Sequence, residues 1–231
     1  MRIIYRISDS GYNKVKPPYI TNENCLKNFC NVFFKHIHDI NIIADNCSED
    51  TLKMIQKYID PINIEKATEG SGAQTFNLAL DKALGYNDDE IIYFVENDYI
   101  HKPDSDKLIK EGIELGAPFV TLYDHPDKYV DPSKGGNKYC QGGAEDTRVY
   151  LTNSSHWKIT NSTTMTFASK VKTLREVEPI LRKHTIGTYP RDFDMFLELR
   201  DKNHILISSI PGYSTHGETA WLSPLTDWSK T

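Results

Sequence analysis

The sequence predicts an α/β layer fold, and three observations carry that reading. Short β-branched runs alternate along the chain with longer segments in which apolar residues recur at helical spacing. One run, Glu90-Ile-Ile-Tyr-Phe-Val95, is almost wholly apolar, as in strands buried on both faces of a parallel sheet, and it breaks into Glu96-Asn97-Asp98-Tyr99. The length of 231 residues fits one large domain, and 39% apolar with 26% charged residues can fill a single core and solvate its outside.

Taken in order, Ile3 to Ile7 reads as the first strand, Asn24 to His36 as a helix, and Ile40 to Ala44 as a second strand ending at Asp45-Asn46. Ser48 caps a helix whose first turn carries Glu49 and Asp50; Leu52, Ile55 and Ile59 share one face, and Pro61 lies beyond its end. A third strand spans Ile62 to Ile64. After the turn Thr68-Glu69-Gly70-Ser71-Gly72, a helix places Phe76, Leu80 and Leu84 four residues apart, and Gly85 closes it. The fourth strand is the apolar run to Val95, so the first half reads β-α-β-α-β-α-β. A helix with Leu108, Ile109 and Ile113 follows, stopped at Gly116, and then a strand over Phe119 to Tyr123.

Residues 124–146 hold Pro126, Pro132 and four glycines among polar residues, which reads as a long loop of the kind that carries function. Beyond it the pattern gives strands at Arg148 to Thr152 and Thr163 to Phe167, and a helix through Val171, Leu174, Val177 and Leu181. A second helix spans Asp192 to Leu199, a last strand His204 to Ile210, and coil from Pro211 to Thr231. The change of character near Asp124 divides one domain, 1–231, into halves 1–123 and 124–231.

With 27 basic against 32 acidic side chains and no dense Lys/Arg block, the chain is a poor partner for nucleic acid, whose affinity comes from clustered cations. The opening MRIIYRISDS lacks the apolar core of a secretory signal, and no run approaches the roughly 20 residues of a transmembrane segment. Cys25, Cys30, Cys47 and Cys140 form no CxxC pair and read as free thiols, so a cytoplasmic location is expected.

Open α/β sheets place their sites at the carboxyl ends of strands, here Ser8 and Asp9, Asp45, and Glu96 with Asp98. Two carboxylates two residues apart on extended backbone point the same way and can share a hard cation. Asp88/Glu90, Asp104/Asp106, Glu176/Glu178 and Asp192/Asp194 have the same spacing, but only Glu96/Asp98 ends a buried-looking strand; a solvated turn is its alternative. Asp45 reads equally as a residue at a helix approach, Asp192 as an acid favoured by a helix dipole, and His216 as a loop histidine. Asn77, in mid-helix, calls for a hydrogen-bond partner. Trp157, Trp221 and Trp228 suit either sugar stacking or core packing.

Asp45 after the second strand, the glycine turn before a helix carrying Asn77, and IIYFVENDY follow one another in an order that resembles the GT-A fold glycosyltransferases of the family 2-like group. Glu96-Asn97-Asp98 stands in the place of their Asp-x-Asp motif, with Glu for the first Asp. Downstream, Arg191-Asp192-Phe193-Asp194 after STTMTFAS stands where that group opens a helix with Glu-Asp-x-Asp, and HILISSI leads to Gly212-Tyr213-Ser214-Thr215-His216. The resemblance spans about residues 1 to 220. It implies a GT-A type, Rossmann-like three-layer αβα sandwich with a central mixed, mostly parallel sheet, in which 1–123 binds a nucleotide sugar and 124–231 the acceptor. It further implies Mn2+ or Mg2+ held by Glu96, Asp98 and His216, Asp192 as catalytic base, and Ser8, Asp45, Gly72, Gln74 and Asn77 as donor-binding residues. Imidazole beside carboxylates suits manganese better than calcium.

The implied reaction is inverting transfer of a hexose-type sugar from a nucleotide diphosphate-sugar, a UDP-sugar foremost, to a hydroxyl of a glycan, lipid-linked or protein acceptor in glycan biosynthesis. Two departures bear on it: Arg191 replaces the motif's Glu, and Phe76 precedes Asn77 where many members carry a donor-binding Arg, leaving Lys14 or Lys16 for the diphosphate. A sugar nucleotidyltransferase would show a Gly-rich basic loop after the first strand, where GYNKVKPP has one Gly and two Lys. A metal-dependent phosphohydrolase and a nucleotide- or glycan-binding module without catalysis complete the alternatives.

Overall fold

The computed structural model describes residues 1–11 and 14–231; Tyr12 and Asn13 of the GYNKVKPP segment lie outside the described residues. Strand β1 (Arg2–Ser8) lies between the parallel strands β2 (Ile40–Asp45) and β4 (Ile91–Glu96), and β3 (Ile64–Ala67) extends the parallel edge beyond β2. Period-2 alternation sends Ile3, Tyr5 and Ile7 to one face and Ile4 to the other, each fully or almost fully buried. On the first face they meet Leu26 and Phe29 of α1 (Asn22–Val32), Leu52 and Ile55 of α2 (Glu49–Gln56), and Ile109 of α4 (Ser105–Glu114). On the second, Ile4, Ile43 and Phe94 meet Phe76 and Leu80 of α3 (Gly72–Leu84), Leu174 of α5 (Val171–Lys183) and Phe196 of α6 (Asp192–Asp201). The result is the αβα sandwich.

The remaining strands, β6 (Phe119–Thr121), β7 (Val149–Leu151), β8 (His156–Thr160), β9 (Phe167–Lys170) and β10 (Leu206–Ile210), complete a sheet of order β3-β2-β1-β4-β9-β6-β10-β8-β7. Four of its pairings are parallel and four antiparallel, so the parallel character is concentrated at the β3 edge. Because β9 sits between β4 and β6, the stretches before and after Asp124 share one sheet. A separate two-stranded sheet joins β5 (Tyr99–His101) to β11 (Ser214–His216).

Local chemistry explains both the agreements and the shifts. Ser48 accepts from the Thr51 amide and Ser71 from the Gln74 amide, starting α2 and α3, and Gly116 takes the left-handed conformation (φ 92°) after α4. The third strand begins at Ile64 rather than Ile62: Asp60 accepts from the Ile62 amide and Pro61 opens a 3-10 turn, leaving Ile62 exposed. The first helix ends at Val32, and a 3-10 segment covers Phe34–Asp39. The strand expected over Thr163 to Phe167 starts only at Phe167, because Thr164 (φ 43°) and Met165 (φ 59°) fold the preceding residues into a left-handed turn. Strand β8 was not anticipated, and the expected coil after Pro211 contains β11. Residues 124–146 are a loop of three short 3-10 turns. No helix among the described residues is long and apolar enough to cross a membrane.

Candidate active site

Glu96 ends β4, and the chain turns through Asn97 and Asp98 into β5, where Tyr99 is the register partner of His216. That pairing carries the histidine from the far end of the sequence to the acidic turn. Carboxylate oxygens of Glu96 and Asp98 and a ring nitrogen of His216 all lie within 4.8 Å of one another. Gly217 permits the approach: a Cβ there would stand 2.7 Å from the Asp98 carbonyl oxygen and 2.4 Å from Ile20 Cγ2.

Two oxygen donors and one imidazole nitrogen fit a divalent ion of the Mn2+ or Mg2+ kind. Asp98 Oδ1 is buried without a hydrogen-bond partner, an orphan that an ion would satisfy. Its other oxygen lies 3.3 Å from His216 Nε2 and 2.9 Å from Lys16 Nζ. Burial opposes ionisation of both acids. At Asp98 the neighbouring His216 and Lys16 outweigh it and hold the carboxyl well below its usual range. At Glu96 burial prevails over the nearby Arg6 and the carboxyl is raised, with the Asp98 charge adding to the rise.

Above the triad opens a cavity of about 400 Å3 lined by Arg6, Ser8, Lys14, Lys16, Asp45, Gly72, Glu96, Asp98 and Tyr189 among others. Three of the residues expected to bind a donor therefore line it. Asp45 does so with its carboxylate already accepting from the amides of Glu69 (2.6 Å) and Gly70 (2.9 Å), which shapes the glycine turn. Gln74 and Asn77 do not line it: Gln74 Nε2 donates to the Gly187 carbonyl, and Asn77 exchanges two hydrogen bonds with Thr185 at the end of α5. The mid-helix Asn has its partner, in the turn that follows α5.

Arg6 went unrecognised in the sequence. It is 4% exposed and donates from Nη1 to the Gly72 carbonyl and from Nη2 to Glu96 Oε1 (3.1 Å) and the Met165 carbonyl. Its guanidinium lies 5.5 Å from the centroid of Phe76, the ring that stands where an arginine was expected. A cation thus reaches this wall from β1 and rests on that phenylalanine. A charged residue inside the apolar run IIYRIS was the available signal.

Asp192 opens α6, and its Oδ2 accepts from the amides of Thr164 (2.8 Å) and Thr163 (3.3 Å) in the left-handed turn. The same turn accepts from Arg6 at Met165, from Tyr99 Oη at the Thr163 carbonyl (2.7 Å) and from the Glu96 amide at Thr166 Oγ1. One short segment therefore ties the acidic triad to Asp192. The Tyr123 ring lies 6.2 Å from that of His216 between centroids; burial first, then the charges of Asp127, Glu218, Asp192 and Asp98, push its phenol well above the usual range. Trp157 and Trp228 are buried in the core, whereas the half-buried Trp221 faces His125 at 5.3 Å between ring centroids.

No protein-family model matches the chain, and no curated protein matches it in sequence. Solved structures do match in three dimensions. GalNAc-T7, crystallised with UDP, GalNAc and Mn2+, aligns with a TM-score of 0.62 at 12% identity over 96% of this chain and 44% of its own. This chain therefore spans less than half of that protein. A Bacillus anthracis protein described as a glucose-1-phosphate thymidylyltransferase, solved with sucrose, aligns with a TM-score of 0.53 at 14% identity over 95% of this chain and 91% of its own. CMP:2-keto-3-deoxy-manno-octonic acid synthetase with CTP gives 0.50 at 10% identity over 95% and 93%. The αβα architecture of this chain is accordingly the GT-A-like fold, which glycosyltransferases and nucleotidyltransferases share.

Proposed function

We propose that the protein is a metal-dependent glycosyltransferase that moves a sugar, with inversion, from a nucleotide diphosphate-sugar to an acceptor hydroxyl. The observation that carries this reading is the convergence of Glu96, Asp98 and His216, the first two lining a cavity together with strand-end residues, with Asp192 tied to the turn that binds the Glu96 amide. When bound at the triad, a divalent ion would supply Lewis-acid stabilisation of the departing diphosphate. Arg6 keeps one oxygen of Glu96 engaged and fixes its orientation. Ser8, Asp45 and Gly72 line the side where the nucleotide fits. Asp192, its Oδ2 anchored by two backbone amides, accepts the proton of the attacking hydroxyl, which a neutral hydroxyl cannot shed unaided. Attack from its side of the sugar, opposite the leaving group, inverts the anomeric carbon.

The second reading, a sugar nucleotidyltransferase, draws on the two lysines that the loop after β1 brings into the cavity. Products separate the two. Sugar transfer releases a nucleoside diphosphate from a UDP-sugar, whereas nucleotidyl transfer releases pyrophosphate from a nucleoside triphosphate and a sugar 1-phosphate. With Mn2+ present, Asp192→Asn is expected to lower kcat for transfer by roughly 10²–10⁴-fold and to leave the thermal stabilisation by UDP intact. Failure of every nucleoside diphosphate to raise the melting midpoint with Mn2+ would sink the transferase reading.

A further inference from the structure

The loop after β1 brings two ammonium groups onto two of the three side chains that a divalent ion would use. Lys16 Nζ lies 2.9 Å from Asp98 Oδ2, and Lys14 Nζ lies 3.2 Å from His216 Nε2 and 3.9 Å from Glu218 Oε2. Both lysine side chains are mostly covered, 25% and 31% exposed. The two atoms they engage are themselves 3.3 Å apart, close enough for a single ion to bridge at ordinary ligand distances.

An ammonium and a metal cannot share the imidazole nitrogen, and the Lys16 charge 2.9 Å from Asp98 Oδ2 opposes a cation at that carboxylate although Oδ1 stays open. An imidazole nitrogen has one in-plane lone pair, and lysine can only donate, so Nε2 either accepts from Lys14 or carries a proton shared with Asp98. In both arrangements it is closed to a metal. Two ammonium charges within hydrogen-bond reach of the ligand atoms would also repel a divalent ion across a largely buried gap. The same two side chains line the cavity above the triad, where no arginine comes from α3 and the guanidinium of Arg6 is already engaged by Gly72, Glu96 and Met165.

We infer that Lys14 and Lys16 are built-in counter-ions of the triad that a divalent ion displaces, and that on displacement they become the cations that hold the diphosphate of the donor. The inference rests on the metal-dependent reading above and adds an order to it. Ion binding exchanges contacts within the protein for contacts to substrate, so ion and diphosphate bind cooperatively. Removing the lysines then has opposite effects on the two ligands: the ion binds better and the diphosphate worse.

The test measures Mn2+ binding by electron paramagnetic resonance, and inorganic pyrophosphate binding at saturating Mn2+ by calorimetry, in the wild type, Lys14→Met, Lys16→Met and the double variant. Methionine keeps the apolar stem. The expected result is Mn2+ bound roughly fivefold or more tighter in the double variant and pyrophosphate bound weaker by a comparable factor. The melting midpoint of Lys16→Met is expected below that of the wild type in chelator, where Asp98 keeps only His216 beside it, and level with it in excess Mn2+. Equal or weaker Mn2+ binding in the double variant, with the wild type binding the ion, overturns this inference and leaves the proposed function standing. Unchanged pyrophosphate binding overturns the substrate half. Absence of Mn2+ binding in wild type and double variant alike overturns both this inference and the metal-dependent reading.

Discussion

The two sides of this molecule are held together by different physics. Around β1, β2 and β4 the interior is apolar: Ile3, Ile4, Tyr5, Ile42, Ile43 and Phe94 are wholly buried, and, Arg6 within β1 apart, the polar groups of the cavity stand at the strand ends or beyond them. In the loop 124–146 and the strand beneath it, the interior holds charge. Lys128 is wholly buried; its ammonium donates to Asn161 Oδ1 (2.5 Å) and Ser162 Oγ (2.8 Å) and lies 3.2 Å from Asp127. Lys158 lies 3.1 Å from Asp124 and 3.6 Å from Glu145, and Tyr129 Oη donates to Asp124. The first side responds to lost volume, the second to an unpaired charge.

Three measurements break or sharpen that comparison. Lys128→Met leaves Asp127 and Asn161 without their cation and is expected to cost about 3–5 kcal/mol, as much as the about 3–5 kcal/mol for the core truncation Phe76→Ala. Adding Asp127→Asn recovers part of the first loss and none of the second, a coupling that denaturant titration of the double variants reads directly. A cost for Lys128→Met under about 1 kcal/mol would put the loop's support elsewhere.

Acid comes next. Burial alone would raise the Asp127 carboxyl, but His125, Lys128 and Asn137 bring it down to about 2. A depressed carboxyl binds protons more readily in the unfolded chain, so its contribution is present above the unfolded value and is lost as pH falls. The loss is up to about 2 kcal/mol, between about pH 5 and 2. Asp127→Asn should flatten that limb of the stability profile. Parallel wild-type and variant curves across the window would refute the assignment.

The smallest effect compares backbone strain on the two sides. Thr164 and Asp104 both have positive φ, at 43° and 65°. Thr164→Gly is expected to raise stability by about 1 kcal/mol, because a β-branched residue is strained there, and to lower the proposed transfer activity by loosening an amide bonded to Asp192. Asp tolerates this conformation, so Asp104→Gly should gain only about a few tenths of a kcal/mol and leave activity alone. A loss of stability in Thr164→Gly would show that the bonds of the Thr164 hydroxyl to Tyr99 and the Thr163 carbonyl outweigh the strain.

The same contrast explains what could be read from the sequence. Before Asp124, helical and strand periodicity reports burial directly, and most elements fall within a few residues of their expected places. After it, β8 is hidden because its sequence, HWKIT, buries a lysine through a distant aspartate that no local pattern announces. Glu96 and Asp98 were legible because they end an apolar strand; His216 depended on order along the chain, since its contact with Asp98 is made by a three-residue strand too short to show periodicity. Gln74 and Asn77 are hydrogen-bonded to residues 185–187 and do not line the cavity, a pairing set by helix packing rather than by spacing.

The small β5–β11 sheet also sets a timetable. A chain emerging from the ribosome can fold β1 to β4 early, with Asp98 on its turn, but His216 is synthesised only after β10, an inner strand of the large sheet. The proposed metal site is therefore completed only once β11 has been made, and a nascent chain that has the acidic turn but not yet β11 lacks its imidazole.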